Sequence, residues 1–227
     1  MYAFVRGATS SESDGNPMPP AVSLTADAFQ QLREDIIRGR IRPNQHLVAA
    51  EVAERLQISR TPVREALHLL ASEGLVEATK RGFVVREHNT EEIREIYQVR
   101  AALEDMAARL TAEHASDEAI ESIESLGAHD ISVIDHRTVL ADRNSAFHQA
   151  IVEAAGNLRL AQINQRNSEQ FFNHRIAHLY TPQEAADAVA GHARILDAIK
   201  SRDPDRAAYE ARQHVLDAIP VTLKAFR

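Results

Sequence analysis

No cysteine occurs anywhere in the chain, which excludes a disulfide framework and a thiolate metal site and fits a reducing compartment. Long apolar runs are missing too. No stretch approaches the roughly 20 residues of a membrane-spanning helix, and the N-terminus lacks a basic segment followed by an apolar core. A soluble, cytoplasmic protein is expected. Positive charge is also short, with a formal net charge of −7, which at first sight argues against a nucleic-acid partner. The shortfall is local: residues 1–88 hold 11 Lys+Arg and 11 Asp+Glu, so the whole deficit lies beyond residue 88. A neutral reader with positive patches can bind DNA when dimerised, while phosphate repulsion keeps the acidic part away from the duplex. At 227 residues the chain is long enough for two domains, each with its own core.

The most informative stretch is Ser59 to Gly74, SRTPVREALHLLASEG. Ser59 is a natural N-cap, Pro62 is tolerated in a first turn whose N–H groups lack intrahelical partners, and Gly74 suits a left-handed stop. At helical spacing Val63, Ala66, Leu67 and Leu70 form an apolar stripe, while Arg60, Thr61, Arg64 and His68 project from another face. Such a face can be mere solvated surface. Its neighbours favour a recognition helix: residues 48–56 read as a preceding helix, and Gln57-Ile58 has the length of a helix-turn-helix corner. Two short β-like runs then flank Lys80-Arg81-Gly82, a winged pattern. Before it, a helix from Thr25 to near Gly39 presents Phe29, Leu32 and Ile36 on one face.

Ser59 to Leu67, followed by Glu73-Gly74-Leu75-Val76 and Arg81-Gly82-Phe83-Val84-Val85, resembles the DNA-binding domain of GntR-type transcriptional regulators over roughly residues 24–86. The resemblance implies that Arg60, Thr61 and Arg64 contact double-stranded operator DNA and that Arg81 and Gly82 at the wing tip enter the minor groove. In fatty-acid-responsive members a further Arg stands ten residues before the position of Arg60. Ala50 occupies that place here, so that contact is not implied.

Residues 1–22, rich in Ser, Gly and Pro, read as a disordered arm, residues 23–88 as the winged helix-turn-helix domain, and residues 89–227 as an all-α bundle. Capping signals at Asn89/Glu92, Thr181/Glu184 and Asp203-Pro204, with Gly156-Asn157 between two helices, give about six helices there: 90–113, 116–128, 131–155, 157–179, 182–201 and 204–225. The fold class is mainly α.

Polar residues fall on the apolar faces of these helices. Asn144 and His148 share a face with Leu140, Phe147 and Ile151; His192 sits among Ala188, Ile195, Leu196 and Ile199; His214 aligns with Ala207, Ala211 and Ala218. A single inward histidine is usually a satisfied core residue. Three beside an amide are a candidate site for a divalent transition metal, with zinc, nickel or manganese all suitable. The segment resembles the FCD effector domain of one GntR subfamily, the FadR-type regulators, in which Asp-x-x-x-His and two later histidines bind a metal. That resemblance implies Asn144, His148, His192 and His214 as the ligand set, with an amide where the family has a carboxylate. Weaker metal binding and a more positive site follow, favouring an anionic effector. Arg100 and Glu104 lie within the stripe of Ile93, Ile96, Tyr97, Leu103 and Ala107. They read either as a mutual i,i+4 pair or with Arg100 forking to an effector carboxylate. Arg175, near His174 and His178, is a second effector candidate.

The expectation is a metabolite-responsive transcriptional regulator, a repressor, in which a small organic or sugar acid bound near the metal changes the spacing of two winged domains in a homodimer on a palindromic operator. The alternatives are a metal-dependent enzyme fused to a DNA-binding domain, for which no carboxylate is evident beside the histidines as general base, and a purely structural metal site.

Overall fold

A computed structural model describes residues 23–127, 137–168 and 179–226. The arm 1–22 and residues 128–136, 169–178 and 227 lie outside the described residues; these include the end of the helix expected at 116–128 and parts of those expected at 131–155 and 157–179.

The first unit follows the hydrophobic periodicities. Helix α1 (Leu24–Ile37) buries Ala28, Leu32 and Ile36, and Gly39 leaves it at φ +72°. Strand β1 (His46–Leu47) leads into α2 (Ala49–Leu56). The corner to α3 (Arg60–Ser72) is made by Gln57 in the left-handed conformation at φ 54°. Helix α3 buries the expected stripe of Val63, Ala66, Leu67 and Leu70. Ser59 occupies the N-cap position as expected, and its contribution is the extended backbone that opens the helix, since its side chain makes no capping hydrogen bond. Strands β2 (Val76–Thr79) and β3 (Gly82–Val85) form the wing. A third strand unread in the sequence completes the antiparallel sheet in the order β1-β3-β2, with Thr79 facing Gly82 at the tip. At two residues, β1 is too short to show a period. These elements share one core in which Leu32, Ile36, Val63, Leu67 and Leu70 are fully buried.

The second unit is helical. Helix α4 (Thr90–His114) starts at a capping box in which the Asn89 side chain accepts from the Glu91 and Glu92 backbone N–H groups while Glu92 accepts from the Asn89 N–H. Helices α5 (Asp117–Gly127), α6 (Arg137–Ala154) and α7 (Leu158–Ser168) follow. Helix α8 (Pro182–Lys200) opens with the Thr181/Glu184 capping box, and α9 (Pro204–Asp217) opens with Asp203 accepting from the Arg206 N–H. The helix expected over 204–225 is in fact broken at Ala218, and a short α10 (Ile219–Leu223) continues. Pro220 accounts for the break, since it lacks an N–H and its ring clashes with the carbonyl four residues back. Helices α4, α6, α8 and α9 meet around Ala107, Phe147, Ile195 and Ala211.

Candidate functional site

Two places collect the residues singled out in the sequence. The first is the exposed side of α3 and the wing tip. Arg60, Thr61 and Arg64 are exposed on the face opposite the buried stripe, and Lys80 and Arg81 are exposed between β2 and β3. Among the described residues none of these four basic side chains is held in an ion pair, so their charge faces solvent. His68 of α3 meets Phe83 of β3 edge-on, ring centroids 5.1 Å apart, and the Thr25 hydroxyl donates to Glu65 at 2.7 Å. These contacts hold helix, wing and α1 as one body. Gly82, at φ +133°, also has a packing reason to be glycine: a Cβ there would stand 2.6 Å from the Leu47 carbonyl oxygen.

The second place is a cavity of about 570 Å³ inside the helical unit, with Arg100, Asn144, His148, His192 and His214 on its walls. His148 comes from α6, His192 from α8 and His214 from α9, and all three are buried. The His148 Nε2 lies 3.3 Å from His192 Nε2 and 3.2 Å from His214 Nε2. Close helix approach makes this possible. Gly191 on α8 faces the His214 ring so closely that a Cβ there would fall well inside the 3.0 Å limit of real contacts with Nδ1. Phe147, fully buried, lies against His192 with ring centroids 4.4 Å apart. Burial first, and then the neighbouring His148 ring, push His214 down to about 3, which favours the neutral imidazole whose nitrogens can serve as ligands.

Behind the histidines stands a carboxylate that the spacing did not assign to them. Glu104, 4% exposed, accepts from His148 Nδ1 through Oε2 at 2.6 Å and from Arg100 Nε through Oε1 at 2.6 Å. Burial alone would push this carboxyl up, but Arg100 and His148 outweigh it and hold it below the usual carboxylate range. The Arg100 guanidinium also lies over Tyr97, 5.7 Å from the ring centroid. The Tyr97 hydroxyl shares a 2.6 Å hydrogen bond with Thr222 of α10, and burial raises both Tyr97 and Tyr180, a further cavity residue.

The donor set fits a transition metal. Bonds of about 2.0–2.1 Å to imidazole nitrogen place neighbouring ligand atoms about 3.0 Å apart in octahedral and about 3.3 Å apart in tetrahedral coordination, and the observed 3.2 and 3.3 Å separations fall at those edges. His148, His192 and His214 form a group of ligating side chains whose nitrogens all lie within 4.8 Å of one another. Asn144, one turn before His148, is half-buried on the same wall, and its amide makes no hydrogen bond to a described residue.

Residues 24–85 match the family model "Bacterial regulatory proteins, gntR family", and residues 95–217 match that of the FCD domain. The chain belongs to the GntR family. It is a DNA-binding transcriptional regulator that joins a winged helix-turn-helix to a helical FCD domain. The transcriptional repressor GlaR of Escherichia coli K12 is 30% identical, over 88% of this chain and 96% of that protein. A probable D-xylose utilization operon transcriptional repressor of Paenarthrobacter nicotinovorans is 32% identical, over 83% and 84% respectively. Among solved structures, E. coli McbR/YncC shares the fold with a TM-score of 0.78 at 22% identity, covering 91% of this chain and all of that one.

Set against this GntR regulator's sequence, the structure brings His148, His192 and His214 together with Asn144 and Arg100 on one cavity. It also joins Arg100 to Glu104, as the i,i+4 reading has it. Arg175 lies outside the described residues, as do His174 and His178. The reading that no carboxylate stands beside the histidines is corrected: Glu104 does, reached from α4, forty-four positions before His148. Its signal was a charged residue on an apolar stripe, which marks an inward carboxylate without naming its partner. No described helix is long and apolar enough to cross a membrane.

Proposed function

We propose that this regulator represses transcription and is released from, or held on, its operator by a small organic or sugar acid bound in the FCD cavity beside a divalent metal. The observation that carries the reading is the convergence on one cavity of three imidazole Nε2 atoms and an arginine, Arg100, whose side chain is 11% exposed. His148, His192 and His214 would hold the metal, with Asn144 as a neutral fourth donor and zinc, nickel or manganese all suited to the set. Bound there, the ion supplies the positive charge that neutral imidazoles lack and an attachment point for a carboxylate oxygen. Arg100 has five N–H donors, one of which goes to Glu104 through Nε, so the same side chain can support Glu104 and meet an acid. Arg175 is a further candidate for the effector.

At the DNA, Arg60, Thr61 and Arg64 would read and grip the major groove, with Arg81 and Gly82 at the wing tip in the minor groove. A homodimer on a palindromic operator, in the cytoplasm, is part of the reading. Val99 and Met106, exposed on α4, and Ile163, exposed on α7, are apolar surface that a second copy would cover. The route between sites is α4 itself. Its first turn carries Glu92, paired with Arg86 at the end of β3, and Arg86 also reaches Glu77 of β2 at 3.5 Å; its third and fourth turns carry Arg100 and Glu104. A shift of α4 on effector binding therefore reaches the wing.

The reading of a metal-dependent enzyme is less well supported, because both Glu104 oxygens already accept hydrogen bonds and no family relative above is named an enzyme. Metal analysis after mild chelation tests the proposal, with His192→Ala and Asn144→Asp beside the parent. The expected results are severe loss of metal in the first and tighter binding in the second, since a carboxylate adds the missing charge. Unchanged metal content in His192→Ala would remove the metal from the mechanism. A thermal-shift screen of small carboxylates and sugar acids with and without metal then finds the effector class.

A further inference from the structure

We propose that Glu104, itself oriented by Arg100, is a positioning residue that locks His148 in the one tautomer able to present a lone pair at Nε2. The inference deepens the metal reading above, and its test separates the two. Arginine can only donate, so the Glu104 oxygen 2.6 Å from Arg100 Nε must accept. The other oxygen, 2.6 Å from His148 Nδ1, is a carboxylate acceptor as well, so the proton between them belongs to Nδ1. A neutral imidazole protonated at Nδ1 has its lone pair at Nε2. That Nε2 is the atom from which both other histidine nitrogens are measured at 3.2 and 3.3 Å. It is therefore central to the cluster, and its tautomer decides whether three ligands or two face the same point.

A plain structural ion pair between Arg100 and Glu104 would require only that charges match. The lock makes a sharper demand, on which atoms donate. Glutamine at position 104 keeps the shape and breaks the rule. Its carbonyl is drawn to Arg100, which offers only N–H groups, and its NH2 then faces His148 Nδ1. That nitrogen must accept, the ring proton moves to Nε2, and the lone pair leaves the cavity. Outer-sphere carboxylates of this kind typically change metal affinity about 10- to 100-fold.

The experiment uses the full-length protein, labelled with 15N histidine and stripped of metal. Two-bond 15N–1H correlation spectra assign the tautomer of His148 in the parent and in Glu104→Gln, and zinc affinity is then measured by chelator competition in both and in His192→Ala. The expected outcome is a parent His148 protonated at Nδ1, a Glu104→Gln protein protonated at Nε2, and about 10- to 100-fold weaker zinc binding in that variant with an unchanged circular-dichroism spectrum. A parent His148 protonated at Nε2 overturns the lock, and this needs no variant to fold. So does a folded Glu104→Gln protein that binds zinc as the parent does while His192→Ala does not. Parental zinc binding in His192→Ala would instead strike the metal reading, leaving the tautomer spectra to decide the lock.

Discussion

A tight steric constraint beside the cavity is at Gly191, and replacing it by alanine separates metal binding from folding. The added Cβ would overlap His214 Nδ1 and stand 3.3 Å from its Cγ. To regain an ordinary contact of about 3.5 Å the ring must retreat by on the order of 1 Å. His214 Nε2 is 3.2 Å from His148 Nε2, and metal–ligand distances tolerate only about 0.2 Å, so such a retreat removes one ligand of three. We expect at least about 100-fold weaker metal binding, beyond the loss usual for an outer-sphere partner. Stability changes little by comparison: overpacking costs about 1–3 kcal/mol, while alanine in place of glycine within a helix returns about 1 kcal/mol. The net loss of about 0–2 kcal/mol corresponds to a drop of no more than roughly 8 °C for a chain of this size. Chelator competition and a thermal melt of the metal-free protein measure the two quantities. A Gly191→Ala protein that binds metal as tightly as the parent would refute the claim that the α8–α9 approach at Gly191 sets the ligand geometry.

At the operator, Arg64→Ala should cost on the order of 1–3 kcal/mol per half-site if it reads a base, whereas Arg81→Ala should weaken all sequences alike and lower the salt slope by about one; titration of specific and scrambled duplexes at several salt concentrations tells these apart. Arg100→Lys should blunt the response to a carboxylate effector and leave operator affinity intact, because lysine lacks the planar fork; loss of both, with a collapsed melting curve, would show the buried pair with Glu104 to be its whole role. Glu184 is held down to about 2 by its bond to Lys224 and by Thr181, so its contribution to stability is present above the ordinary carboxylate value and disappears as pH falls toward 2. Lys224→Met should therefore move the acid-unfolding midpoint upward, read by circular dichroism, and an unmoved midpoint would count against the pair.

The winged unit was largely legible because its features are local. A stripe at helical spacing, a glycine stop at Gly74 and a two-residue corner each depend on neighbours in the chain, and the structure places all three as expected. What escaped was β1, whose partner Val84 lies nearly forty positions from His46, and the missing hydroxyl cap at Ser59, which depends on how a side chain turns. The break at Ala218 has its signal in Pro220, which the single helix expected over 204–225 left out of account. In the cavity the same division holds. Inward placement of His148, His192 and His214 follows from each helix's own stripe, so each could be read by itself. That they converge within hydrogen-bond distance is a property of three helix crossings.

Glu104 shows why this division matters for chemistry. On α4 its spacing from Arg100 matches an ordinary surface pair, worth about 0.3–0.5 kcal/mol when exposed, and the apolar stripe around it marks it as inward without naming His148 as its second partner. Burial changes the energetics. Removing one member of a buried pair leaves a stranded charge at a cost of about 3–5 kcal/mol, and here the carboxylate has two partners rather than one. Arg100 neutralises it, and His148 uses its remaining oxygen. Because Arg100 cannot accept and Glu104 cannot donate, the direction of every hydrogen bond in the chain from α4 to α6 is set by residue type. The amide at position 144 therefore does not leave the histidines without a negative charge nearby. That charge lies one shell further out, on a helix whose first turn is paired with the wing through Arg86, so the group that orients His148 belongs to the same helix that contacts the DNA-reading unit.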